Sequence, residues 1–215
     1  MSTVEEKYDR FRELHDKKGA FVIGNPWDVG TARILTQIGY PALATTSAGL
    51  GFAMGKRSSA ASLSRSEVID NAAEIAAATS LPVTADLEDG FGIAPETCAE
   101  TITMAIDAGL VGGSIEDATG HADAPILETA LAVERIAAAA EAARDKPFLL
   151  TARAENFLWG RHDLDDTIAR LNAFADAGAD VLYAPGLSDL NEIRTLCMSV
   201  NRPVNVVMGL VGPTI

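Results

Sequence analysis

The sequence predicts an α/β protein: a single (β/α)₈ TIM-type barrel domain over residues 1–215, truncated before its last strand and helix. Three observations carry this. From residue 20 onward a short apolar run, an amphipathic helical stretch and a turn recur in that order, the alternation of a parallel α/β sheet. The apolar runs are continuous rather than alternating, as expected of strands covered on both faces. Charged or polar residues also follow at least four different runs at their carboxyl ends, the habit of a barrel. An open doubly wound sheet would gather its site near one switch point.

The elements follow in order. The stretch YDRFRELHDKK predicts an N-terminal helix that covers the barrel bottom, or a neighbouring subunit, with its charges on a solvated face. Strands are expected at 21–25, 42–46, 82–88, 112–116, 148–153, 181–184 and 203–208, where Val, Ile, Leu, Ala and Thr dominate. Asp28 is placed to cap a helix over 29–38, and equally to stand behind a ligand group at the rim. Ser64, with Glu67 three residues on, forms a capping-box pattern at the head of the next helix, and Gly109 and Gly178 close two later ones. About seven strands are visible where a barrel needs eight. An unpaired barrel edge is an aggregation liability, so the chain is expected to be part of a longer one.

Composition narrows the function classes. A formal net charge of −13 and 48% hydrophobic residues argue against nucleic-acid binding, which wants clustered Lys and Arg. No apolar stretch reaches the length of a membrane span. Cys98 and Cys197 have no CxxC pairing and are expected to be buried thiols in a cytoplasmic protein. A small-molecule partner fits best.

The chemistry-bearing residues cluster at strand ends. Asp86 and Glu88, two apart in VTADLED, share one face, and Glu116 ends the next strand. Three neighbouring carboxylates repel one another unless a cation intervenes, and all-oxygen ligands point to Mg²⁺, with Mn²⁺ as its substitute. The competing reading has these acids capping helices or pairing with Lys and Arg at the rim. Asp89 and Asp117, each beside a stronger candidate, read as structural. Arg153 precedes Glu155 in TARAEN, where its guanidinium can fork a substrate carboxylate or form an internal ion pair with Glu155 or Glu116. The small-residue turn TTSAGLG offers Ser47, Ala48 and Gly49 to an anion, and Asn25, Trp27 and Asp28 end the first strand at the same rim. His121, in a polar segment after Glu116, is an acid–base candidate against a solvated loop histidine. His15 and His162 have weaker claims.

Taken together, NPWDVGTARIL, ALATTSAG, VTADLEDGFG, SIEDA, TARAENF, LYAPGL and PVNVV resemble the isocitrate lyase and phosphoenolpyruvate mutase superfamily over nearly the whole chain. The resemblance implies a (β/α)₈ barrel in homo-oligomers, dimers or tetramers with helix exchange, and Mg²⁺-dependent chemistry on C–C or C–P bonds of small 2-oxo or 2-hydroxy acids. Carried over, it implies metal acids at Asp86, Glu88 and Glu116, a substrate arginine at Arg153, and a carboxylate-binding turn at 47–49. The catalytic-cysteine loop of the superfamily's lyases is replaced by ATGHADAPI, which speaks against cleavage of isocitrate or methylisocitrate by that route. Ser58 stands where mutase and hydrolase members have an aspartate, and LYAPGL lacks the mutase histidine. The expectation is a Mg²⁺-dependent lyase or decarboxylase acting on a small 2-oxo or 2-hydroxy (di)carboxylic acid through an enolate-like intermediate. The alternatives are a C–P bond mutase or hydrolase taking a phosphonopyruvate-like substrate, and a non-catalytic relative that binds a carboxylate or metal.

Overall fold

The computed structural model describes residues 2–56 and 62–208. Ser58 lies outside the described residues. The elements run α1 (Val4–Asp16), α2 (Val29–Ile38), β1 (Leu43–Ala44), α3 (Ser47–Ala53), α4 (Arg65–Ala78), β2 (Val83–Asp86), α5 (Pro95–Asp107), β3 (Gly112–Glu116), α6 (Thr129–Ala143), β4 (Leu149–Arg153), α7 (Leu164–Asp176), β5 (Val181–Tyr183), α8 (Leu190–Ser199) and β6 (Val204–Asn205).

All six strands are parallel and lie in sequence order, β1 to β6. A doubly wound sheet reverses its order at a switch point. Among the described residues this sheet never does, so it is wound one way, as a half-barrel with helices outside, the winding of a (β/α)₈ barrel. The expected first strand at 21–25 contributes a single bridge, Gly24 to Leu43. Asn25 and Pro26 follow it at once, and a proline cannot extend a ladder.

Local chemistry sets the helix ends as the sequence predicts. Asp28 Oδ1 accepts the Thr31 N–H at 2.7 Å, and Ser64 and Glu67 exchange backbone and side-chain bonds in a full capping box. Gly109 and Gly178 end α5 and α7 at φ +81° and +111°, left-handed backbone that favours glycine.

The main core lies between the sheet and α2, α4, α5, α6 and α7, built from residues such as Ile75, Leu87, Ile102, Ile136, Leu150 and Phe174. A second cluster joins Phe11 of α1 to Ala42, Val111 and Leu149 at the amino-terminal ends of the strands. The N-terminal helix therefore plugs the barrel bottom. The Asp, Glu, Lys and Arg side chains of YDRFRELHDKK are exposed, as expected, while Lys7, just before that stretch, is 8% exposed and its Nζ donates to Ala76 O at 2.8 Å. That carbonyl lies in the last turn of α4, where helix oxygens lack internal partners. Cys98 is buried, but Cys197 is exposed, because its neighbour Leu196 takes the inward position on α8.

Candidate active site

The strand registers place the site. Glu116 of β3, Arg153 of β4 and Tyr183 of β5 are direct partners across three strands, and Asp86 pairs with Ser114 one step below. Alternation sends Asp86, Glu116 and Arg153 to the concave side, while Ala85, Ile115 and Ala152 pack outward against the helices.

Arg153 gathers the acids. Its Nη1 donates to Asp86 Oδ1 at 3.0 Å, its Nε donates to Glu155 Oε1 at 2.9 Å, and its Nη2 lies 3.0 Å from Glu116 Oε2. A guanidinium carries five N–H donors, so three such contacts leave capacity for a substrate oxygen. The Tyr183 ring stands 5.1 Å from the guanidinium carbon and adds a cation–π contact. Of the two readings left open by the sequence, the internal ion pair is present, with Asp86 as a third partner.

Asp86 is held from both sides. Its Oδ2 accepts the Ser47 N–H at 3.0 Å, and its own N–H donates to Thr45 Oγ1 at 3.0 Å. The expected anion turn is thus the first turn of α3, capped by Thr46 Oγ1, which takes the Gly49 N–H at 3.1 Å. Two of the three amides offered to an anion already have partners. Ser47 and Ala48 line the cavity, and Gly49 does not.

That cavity, about 320 Å³, opens at the carboxyl ends of the strands and is lined among others by Asp86, Glu88, Asp89, Glu116, Arg153 and Glu155. Five carboxyl groups face one guanidinium, and the imbalance appears in the acids. Burial, then repulsion from Asp86 and Asp89, pushes Glu88 up to about 7. Burial raises Glu116 well above the usual carboxylate range, with Arg153 opposing and Glu155, Asp86 and Glu88 reinforcing. Glu88 sits at φ +48°, and its Oε1 is buried without a hydrogen-bond partner.

The expected metal acids were tested against this geometry. Among the described residues no three His, Cys, Asp or Glu side chains form a group that could hold an ion directly. Asp86 and Glu116 turn to Arg153 instead of closing a cage with Glu88. What fits a cation is the all-oxygen donor set, the excess of carboxyls and the unpaired Glu88 oxygen. Mg²⁺ commonly keeps several waters and uses only one or two carboxylates. The residues fit a largely hydrated ion of that kind.

Of the remaining candidates, only Asp89 reaches the cavity. Trp27 is 42% exposed and His121 sits on an exposed loop, and neither lines the cavity. Asp28 caps α2. Asp117 is structural: it accepts the Glu155 N–H at 2.8 Å and pairs with Arg170 at 3.2 Å. Asp89 holds the Phe91 N–H and also lines the cavity. Sequence reasoning missed Leu158 and Trp159, which line the cavity, and Arg135. Arg135 is 1% exposed on α6, and its guanidinium donates to the carbonyls of Asp89, Gly92 and Ile93. Only the position of Leu158–Trp159 just past TARAEN signalled the first two, and nothing local signalled Arg135.

The sequence model of the family described as phosphoenolpyruvate phosphomutase matches residues 11–215. The chain belongs to this family. One relative in it, the Corynebacterium glutamicum protein named "Probable 2-methylisocitrate lyase 2", is 34% identical over 154 residues, 69% of this chain and 49% of that protein. The match thus spans about half the length of that relative. Among solved structures, a candidate lyase/mutase from Burkholderia cenocepacia J2315 is 57% identical with a TM-score of 0.94, covering 99% of this chain and 76% of that one. A 2,3-dimethylmalate lyase, described as a member of the PEP mutase/isocitrate lyase superfamily, is 25% identical with a TM-score of 0.87, covering 100% and 75%. A phosphonopyruvate hydrolase solved with oxalate and Mg²⁺ shares the fold at 24% identity and a TM-score of 0.86, covering 94% and 71%.

Proposed function

We propose that this member of the phosphoenolpyruvate phosphomutase family is a Mg²⁺-dependent lyase or decarboxylase acting on a small 2-oxo or 2-hydroxy acid. The observation that carries the reading is one buried guanidinium, Arg153, spanning Asp86, Glu116 and Glu155 at the floor of a cavity rich in carboxyl groups. Relatives named for lyase activity, and a metal complex of the same fold, support it.

Asp86, Glu88 and Glu116 would hold the Mg²⁺, in part through water. Bound there, the ion would act as a Lewis acid on the substrate's carbonyl and carboxylate oxygens. Arg153 orients the substrate through its remaining N–H groups and stabilises negative charge that develops as the bond beside the carbonyl breaks. Asp86, pinned by Ser47 and Thr45, keeps the guanidinium in place. Glu88, whose buried Oε1 has no hydrogen-bond partner, supplies an oxygen that the ion or its water would engage. His121, on its exposed loop, has no part in this scheme.

The test is an NMR screen of the protein with Mg²⁺ against oxaloacetate, phosphonopyruvate and methylisocitrate, for wild type and Asp86→Ala. C–C bond cleavage lost in the variant supports the proposal. Cleavage or rearrangement of phosphonopyruvate alone replaces it with C–P chemistry, and binding without turnover in both forms replaces it with a binding protein.

A further inference from the structure

We infer that the substrate carries a single carboxylate at its reactive end and an apolar group beyond it, which Leu158 and Trp159 select. The inference rests on the reading of this site as one for a small carboxylic acid, and specifies which acid.

Two unlike surfaces meet in the cavity. One is the carboxyl-rich floor around Arg153. The rest is largely apolar, with Ala48, Ala118, Leu158 and Trp159 among its lining residues. Arg153 is the one Lys, Arg or His among the described lining residues, and it already faces Asp86, Glu116 and Glu155. Even with a Mg²⁺ ion in place, a second substrate carboxylate would meet five carboxyl groups and, among the described lining residues, no cation besides Arg153, which disfavours it relative to an apolar group there.

Leu158 is 50% exposed and lines the cavity beside Trp159. Its turn is firmly anchored. Trp159 N–H donates to Glu155 O at 3.1 Å, and Arg161 N–H donates to Asn156 O at 2.8 Å. Phe157 is buried beneath, edge-on to His162 with ring centroids 5.3 Å apart. From the far side Gly186, at φ +85°, brings its backbone so close that a Cβ there would stand 2.8 Å from Leu158 N. An exposed leucine and a tryptophan are thus presented at the cavity by a hydrogen-bonded turn, 156–160, that begins one residue after Glu155. A pre-formed apolar wall beside a few polar groups is the usual plan of a small-molecule site.

Calorimetry on the protein with Mg²⁺ tests this with pyruvate, 4-methyl-2-oxopentanoate and 2-oxoglutarate. The branched acid should bind about tenfold or more tightly than pyruvate, as expected for added methylenes in an apolar pocket, and more tightly than 2-oxoglutarate. Leu158→Asn and Trp159→Gln should each shrink the first ratio. Preference for 2-oxoglutarate, or a ratio that neither variant changes, overturns the inference and leaves the carboxylic-acid site standing. No binding of any of the three, or binding indifferent to Arg153→Ala, overturns both.

Discussion

Arg153 Nη1 and Asp86 Oδ1 lie 3.0 Å apart although 67 residues separate them in the chain. The contact exists because β2, β3 and β4 are parallel neighbours whose carboxyl ends share one rim. It also places Arg153, the one Lys, Arg or His among the described lining residues, at the floor of the cavity. In the protein alone, Arg153 neutralises acids that a bound ion and substrate would otherwise partner.

Arg153→Ala should lower turnover on the order of 10²-fold or more, corresponding to ~3 kcal/mol of transition-state stabilisation. Steady-state kinetics on whichever acid the screen identifies measures this. Arg153→Lys should recover little, because one ammonium cannot span three carboxylates in the geometry of the planar fork. An unchanged rate in the alanine variant would remove Arg153 from the site.

Glu88 gives a pH dependence of stability with a definite sign. Its carboxyl lies at about 7 in the folded protein against 4.5 in the unfolded chain, so the folded state holds the proton more tightly. The associated stability is complete below about 4.5 and is lost as pH rises to about 7. In EDTA, the Tm of wild type should therefore fall more steeply between pH 5 and 8 than that of Glu88→Gln. Mg²⁺ at pH 8 should raise the wild-type Tm more than the variant's. Superimposable curves for the two proteins would contradict both statements.

Arg135 pins the segment that carries the site's acids. It donates to the carbonyls of Asp89, Gly92 and Ile93, while Thr101 Oγ1 donates to Gly90 O at 2.9 Å, so four consecutive or near-consecutive carbonyls turn away from the cavity. Arg135→Met should take the donor from three part-buried acceptors and cost about 1–3 kcal/mol, measured by urea unfolding. Amide exchange at 89–93 should rise beyond what global destabilisation explains. Protection that follows global stability alone would make Arg135 a packing residue.

Gly186→Ala should strain the apolar wall. The new Cβ would meet Leu158 N at 2.8 Å and Phe157 C at 3.0 Å, on backbone at φ +85°. A loss of about 1–3 kcal/mol is expected for a side chain in that conformation, read from the shift in Tm. Discrimination between 4-methyl-2-oxopentanoate and pyruvate should weaken in the same variant. A stable Gly186→Ala protein with full discrimination would show that the turn does not need this close approach.

Much of the frame was legible in the chain. Val83–Asp86, Gly112–Glu116 and Leu149–Arg153 are continuous apolar runs with a charged final residue, and Ser64 with Glu67 announces a helix start, because both signals are local. The i, i+2 spacing of Arg153 and Glu155 likewise put both on one face, with an ion pair as one of two open readings. Trp27 and His121 were plausible from their place just past a strand, yet proximity to the rim in sequence does not fix which way a loop side chain points. Cys197 departed from its expected burial for the same reason: thiol burial depends on what packs against the helix.

By itself, then, the sequence determined the strand–helix alternation, the helix caps and the set of acids at the strand ends, since backbone propensity and side-chain periodicity act over a few residues. The tertiary structure alone decided that Arg153 stands among Asp86, Glu116 and Glu155, that Glu88 keeps an unpaired oxygen, and that Leu158 and Trp159 form the apolar side of the cavity. Those relations depend on strand register and on the curvature of the sheet, which are set by packing between residues far apart in the chain.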